Sequence, residues 1–179
     1  MKRSLFAATI FVIATMLWVG IPGNALKQPA SPHGIVSLEL AYAADSAAKI
    51  ISAWQQQGIL HIAITNVYTD FAFIAAYTIF LLRLLKAVTR KQQEKIKTAA
   101  AIVSKATITA GCCDVVENLF MLPMLYGHIS NFFATGAGVF ATVKFGLIAV
   151  ILLFIILLFM AGLFRKSKGH KAKLDNYSY

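Results

Sequence analysis

Residues 109–125 read TAGCCDVVENLFMLPML, and the interpretation of the whole chain depends on this stretch. It belongs to an apolar run long enough to cross a bilayer as a helix, yet it carries Asp114, Glu117 and Asn118. Residues three and four positions apart share a helical face, so these polar side chains point the same way. A charge at the bilayer centre costs at least ~2.5–3.5 kcal/mol, so we expect this face to meet protein or a wet cavity.

The composition of the chain is that of an integral membrane protein. Its 179 residues are 59% hydrophobic and 13% charged, which is about half the charged fraction of a soluble protein. The net charge of +10 comes from short basic runs beside apolar segments, as the positive-inside rule predicts. Because no RNA-binding signature or basic stripe with interleaved aromatic residues accompanies this charge, we expect no nucleic-acid partner.

The hydropathy pattern predicts an all-α fold, a four-transmembrane-helix bundle with an extracytoplasmic amphipathic helical segment between helices 1 and 2. The first span has two interpretations, because residues 1–25 fit either a cleaved signal peptide or a first transmembrane helix, which we favour. A single membrane domain is expected over residues 1–164, followed by a basic, disordered cytoplasmic tail over residues 165–179. The expected spans are about 4–21, 59–85, 99–126 and 137–164, with the interfacial segment at 35–57.

The distribution of Lys and Arg predicts the orientation. Two such residues precede the first span, six lie in residues 83–97 and five lie in the tail, whereas the other loops carry only Lys27 and Lys49. Basic loops stay on the cytoplasmic side, so both termini are expected in the cytoplasm of a bacterial cell, with the inner membrane as the lipid environment.

The segment 35–57 contains a predicted helix that Asp45 or Ser46 would cap. Its apolar face ends at Trp54, and this pattern is typical of a helix at the outer membrane surface. Glu39 precedes it within an apolar patch, so we expect this part of the segment to pack back over the spanning helices.

Three predicted spans bring ionisable groups to one layer of the membrane. At a rise of 1.5 Å per residue, these groups lie within roughly 10 Å of one level, in the outer half of the bundle. Full ionisation of the two aspartates, the glutamate and the lysine would total −2, so a bound proton, a cation or water is required. The candidate intramembrane polar site comprises Asp70, Asp114, Glu117, Asn118 and Lys144, with Glu39, Asn66 and Tyr77 as further contributors.

Small residues predict where helices approach closely. Gly111 on the third span would admit a neighbouring helix. The fourth span carries Ala134, Gly138, Thr142 and Gly146 at four-residue intervals, which predicts a packing ridge.

Several motifs in chain order, LELA with AAKIISAW, TDFAFIAAY, DVVENLFML and VKFGLI, resemble a widespread group of small uncharacterised bacterial four-helix membrane proteins. The resemblance covers residues 35–152, and its more specific parts are the D-x-x-E-N motif and the single Lys of the last span. It implies a shared site that uses Glu39 beside the five candidate residues, and it implies no particular activity.

Three functions fit this pattern. The first is a site that binds or acts on a lipid or other amphiphile, since paired carboxylates with a lysine suit acid–base work. The second is proton or cation translocation by a homo-oligomer, and the third is a structural or assembly subunit whose polar cluster serves helix packing. The sequence shows no nucleophile motif, defines no metal site and indicates no particular cofactor, so it leaves open whether the protein is an enzyme.

Overall fold

The computed structural model describes the backbone of residues 2–175 and the side chains of residues 3–161. Within this part the chain is helical and forms no β-strand. A single 3₁₀ turn, Asn24–Leu26, follows the first helix. The helices are α1 (Lys2–Gly23), α2 (Ile35–Glu39), α3 (Ala44–Gln56), α4 (Leu60–Thr89), α5 (Glu94–Leu125) and α6 (Asn131–Asp175).

Four of these helices, α1, α4, α5 and α6, are long and apolar enough to span a membrane, which confirms the predicted number of spans. The chain is therefore a multi-pass membrane protein. Helices α4 and α5 extend into the charged connector and leave only residues 90–93 between them. Helix α6 continues to Asp175, whereas the sequence predicted a disordered tail from Arg165. Residues 165–175 contain four lysines and one arginine, which favour helices, and no proline.

The long helices pack largely in chain order. Helix α5 lies between α4 and α6, α4 also reaches α6, and α1 packs against α4. This order leaves a cleft between α1 and α6. At one end of the molecule α2 and α3 lie against the spanning helices, and an apolar cluster there includes Trp54 and Met121. A second apolar cluster, which includes Leu81 and Ile151, fills the space between α4, α5 and α6 further along.

The apolar face of α3 is buried inside the protein, which differs from the predicted position at the membrane surface. The side chain of Trp54 is fully buried, and its indole N–H donates to Leu26 O and to Ser31 Oγ, each at 3.0 Å. An indole N–H that is removed from water needs such partners. The segment between α1 and α4 therefore packs against the spanning helices. The two hydrogen bonds of Trp54 also hold the loop between α1 and α2 in place.

The start of α3 corrects a second expectation. The helix begins at Ala44, and neither Asp45 nor Ser46 caps it. The Ala44 amide donates instead to Asn131 Oδ1 at 2.8 Å. Asn131 is the first residue of α6, so a side chain from another helix satisfies a backbone donor that has no partner within α3.

Small residues allow two close approaches. A Cβ atom on Gly111 would lie 2.7 Å from Thr78 Oγ1, which confirms the close approach of a helix at this position. At Gly138 the predicted ridge on α6 contacts a residue outside the helices, because a Cβ on Gly138 would lie 2.7 Å from the Tyr42 ring. No atom lies within 4 Å of a Cβ on Gly146. The chain between α2 and α3 therefore packs against the ridge, on a part of α6 that α1 does not cover.

Candidate functional site

The centre of the candidate site is an ion cluster around Lys144, whose side chain is 7% exposed. The Lys144 ammonium lies 2.7 Å from Glu117 Oε2, 2.9 Å from Asp114 Oδ1 and 3.3 Å from Glu39 Oε2. The α5–α6 interface brings Lys144 to Asp114 and Glu117. This agrees with the prediction that these groups lie at one level of the bundle. These groups are buried among apolar helices, where an unpaired charge would be very costly.

Two further hydrogen bonds join the cluster to α4. The Tyr77 hydroxyl donates to Asp114 Oδ2 at 2.8 Å, and the Asn118 amide donates to Asp70 Oδ2 at 2.8 Å. Each bond crosses from α4 to α5, so the polar stripe predicted on each helix meets the stripe of the other. Together they fix the rotamers of Asp114 and Asp70, since each carboxylate has a directional partner.

Glu39 reaches the cluster from the end of α2, and the residues that follow it attach this segment to α6. Tyr42 has a positive φ of 55°, which is uncommon for a residue other than glycine. Its carbonyl accepts a hydrogen bond from Thr135 Oγ1 at 2.8 Å, and its hydroxyl is hydrogen-bonded to Thr142. These contacts explain why Glu39 is buried although it lies outside the four spanning helices. The prediction that this part of the segment packs back over the helices is confirmed.

The site contains more acid than base. Four carboxylates, those of Glu39, Asp70, Asp114 and Glu117, lie around one ammonium group, so full ionisation would give −3. The Glu117 side chain is fully buried. Its ion pair with Lys144 lacks hydrogen-bond geometry, and Glu117 Oε1 has no polar partner among the described residues. The cluster thus retains unused acceptor capacity and contains more acidic groups than basic ones.

A cavity of about 520 Å³ adjoins this cluster and occupies the cleft between α1 and α6. Met16 of α1 and Phe145 of α6 line it and are 59% and 40% exposed, so the cavity opens sideways between these two helices. Its polar lining is Glu39, Asp70, Tyr77, Asp114 and Lys144. Its apolar lining is Val12, Met16, Val36, Phe73, Phe80, Leu81, Phe145, Ile148 and Leu152.

A second, much smaller cavity of about 20 Å³ lies behind the first. Glu39 and Asp70 line both cavities, and Asn66 and Asn118 complete the polar wall of the small one. This volume and these partners suit a single buried water. The side chains of Glu39 and Asp70 therefore border a small polar space as well as the larger cavity.

The structure brings together Glu39, Asp70, Asp114, Glu117, Asn118, Lys144 and Tyr77 from the predicted set. Asn66 has a partly different role, because its amide donates to Val19 O at 2.7 Å and so joins α4 to α1. A Cβ on Gly23 would lie 2.9 Å from this amide nitrogen, so the glycine permits the contact.

Sequence reasoning missed Tyr42 and the contribution of α1 to the cavity wall. No local pattern distinguishes Val12 or Met16 from lipid-facing residues. Phe145 was also missed, although it follows Lys144 directly and its ring centroid lies 4.6 Å from the ammonium nitrogen. An aromatic residue beside the only lysine within the last span was the available signal.

The chemistry available to the site is that of carboxylates, one ammonium group and a phenol. These groups can pair with a charged ligand, donate or accept protons and exclude competing partners. Among the described residues, no group of three or more His, Cys, Asp and Glu side chains is placed to hold a metal ion.

The fold and the site define a multi-pass membrane protein with a buried ion cluster beside a laterally open cavity. No family model, curated protein or solved structure matches this chain.

Proposed function

We propose that this protein binds an amphiphile, such as a lipid, which enters the cavity sideways from the bilayer between α1 and α6. The observation that supports the proposal is the lining of the 520 Å³ cavity, with an ion cluster at one part and aliphatic and aromatic side chains over the rest. This volume is within the range of small-molecule sites, which combine apolar walls with a few placed polar groups. The resemblance to a bacterial four-helix membrane group would extend such a site to those proteins.

The lateral opening favours a ligand with a hydrocarbon part. Exposed apolar side chains such as Met16 and Phe145 lie at the opening, where the neighbouring solvent is lipid. A hydrocarbon chain could pass this opening without desolvation of polar groups, while a headgroup could reach Asp70 and Asp114. A fully water-soluble ligand would have to cross hydrocarbon to use this lateral opening.

Positive-inside asymmetry supports an orientation with the α2–α3 end outside the cytoplasm. The opposite end carries Arg83 and Lys86 at the end of α4 and a basic link before α5. The proposed membrane is the bacterial inner membrane, with both termini in the cytoplasm and the cavity in the outer half of the bundle.

Proton or cation translocation is the alternative with less support. Beyond Tyr77, the space between α4, α5 and α6 is filled by an apolar cluster that includes Leu81, Leu85 and Ile151. A relay across the membrane needs polar groups or water along its length. A purely structural role for the cluster does not account for an open cavity beside it.

Native mass spectrometry of the purified protein in an uncharged detergent tests the proposal. Ile148→Trp would fill the cavity, whereas Val150→Trp places the same bulk on a side chain that is 59% exposed and outside the cavity lining. We expect a bound amphiphile on the wild type and on Val150→Trp, and its loss from Ile148→Trp with helicity retained. Absence of a bound amphiphile from the wild type, or equal retention by both variants, would contradict the proposal.

A further inference from the structure

We infer that the headgroup of the bound amphiphile carries a positive charge, as in a long-chain amine or quaternary ammonium compound. This inference rests on the proposed function and names the ligand class for the same cavity. Three observations carry it: the carboxylates that surround Lys144, the carboxylate oxygens that remain free, and the aromatic rings beside them.

Carboxylates already surround Lys144, which leaves little room for an anionic ligand. Two of its three N–H donors are used in hydrogen bonds to Glu39 and Asp114. The Glu117 carboxylate lies 2.7 Å from the same nitrogen as an ion pair. A ligand carboxylate or phosphate would have to displace one of these carboxylates and would then face the remaining acids. Like charges in so small a space repel strongly in an apolar medium.

Free acceptors face the cavities instead. Asp70 uses Oδ2 to accept from Asn118, and Glu39 uses Oε2 to accept from Lys144. Among the described residues, the second oxygen of each carboxylate accepts no hydrogen bond, and both residues line the 520 Å³ cavity. A cationic group placed there would gain charge-assisted hydrogen bonds or ion pairs and would stabilise the ionised form of these carboxylates.

Aromatic rings complete a cation-binding environment. Phe73 and Tyr77 line the cavity next to the acids, with ring centroids 5.5 Å apart and planes tilted by 60°. Phe145 already contacts a cation, because the Lys144 ammonium lies 4.6 Å from its ring centroid. Aromatic faces combined with carboxylates are the usual surroundings of bound ammonium groups.

Three probes with the same hydrocarbon chain separate charge from chain length: dodecyltrimethylammonium, dodecanol and dodecanoate. Binding to the full chain in an uncharged detergent is measured by isothermal titration calorimetry. The two ionic probes are kept below their micelle concentrations and dodecanol below its solubility limit. We expect the ammonium probe to bind about tenfold more tightly than the alcohol, and the carboxylate more weakly than either.

Variants of the cavity carboxylates test whether these groups bind the positive charge of the ammonium probe. Asp70→Asn should weaken binding of the ammonium probe about tenfold while dodecanol binding stays within about twofold. Glu39→Gln is the second variant if Asp70→Asn does not fold. The matched control is Glu94→Gln, which removes an acid from an exposed pair with Lys97 and should change neither affinity.

The outcomes separate this inference from the proposed function. Equal or tighter binding of dodecanol or dodecanoate would overturn the positive headgroup while an amphiphile site remains. An ammonium affinity that Asp70→Asn and Glu39→Gln both leave unchanged would also overturn it. Binding of none of the three probes would refute both the inference and the proposed amphiphile site.

Discussion

Lys144 of α6 lies 3.3 Å from Glu39 at the end of α2, although 105 residues separate them in the chain. Glu39 is the only member of the ion cluster that does not come from a spanning helix. The segment between α1 and α4 therefore completes the site as well as covering one end of the molecule. Because Tyr42 attaches this segment to α6, the Glu39 carboxylate is held beside the Lys144 ammonium.

Removal of the cluster's cation should destabilise the fold. Lys144→Met leaves three carboxylates without their common partner in an apolar environment, so we expect the free energy of unfolding to fall by about 3–5 kcal/mol. Thermal unfolding in detergent, followed by circular dichroism, measures this change. Lys105→Met is the control, because Lys105 is exposed on α5. Equal stability of the two variants would show that the cluster does not hold the helices together.

Loss of the Tyr77 hydroxyl should lower stability more than loss of the Tyr68 hydroxyl. Tyr77→Phe removes the 2.8 Å hydrogen bond to Asp114, and we expect a loss of about 1.5–3 kcal/mol because the acceptor is a buried carboxylate. Tyr68→Phe removes an exposed 3.3 Å contact with Tyr126 and should cost less than about 0.5 kcal/mol. Urea or thermal unfolding of both variants makes the comparison, and a larger loss for Tyr68→Phe would contradict the site described above.

Two glycines of α6 should respond to alanine with opposite signs. Gly138→Ala places a Cβ 2.7 Å from the Tyr42 ring and should destabilise by about 1–3 kcal/mol, because Tyr42 is also held by Thr142. Gly146→Ala meets no atom within 4 Å and should stabilise by up to about 1 kcal/mol through helix propensity. Melting temperatures give both signs. A melting temperature that stays equal or rises for Gly138→Ala would mean that Tyr42 does not dock at Gly138.

The proposed orientation predicts which loops a membrane-impermeant reagent can label from outside the cell. In a background with Cys112 and Cys113 replaced by alanine, Gln56→Cys at the end of α3 should react with a membrane-impermeant maleimide in intact cells. Lys91→Cys, in the link between α4 and α5, should react only after permeabilisation. Both positions are exposed, so accessibility to the reagent is matched. The reverse labelling pattern would invert the topology.

The sequence predicted the polar layer well because its origin is local. Asp114, Glu117 and Asn118 share a face by helical periodicity, and bilayer thickness sets the depth of each span. Asp70 and Lys144 could therefore be placed near them before any contact was known. The packing of α3 was predicted poorly, since an amphipathic helix has the same pattern whether its apolar face meets lipid or protein.

The sequence by itself determined that four helices are long and apolar enough to span a membrane and that three of them present ionisable groups at one level. Apolar length and periodicity set both features, and each is a property of a single segment. Only the tertiary structure decided that Glu39 joins Lys144, that Tyr42 docks on α6, and that a cavity separates α1 from α6. These depend on contacts between residues far apart in the chain, for which short-range periodicity carries no signal.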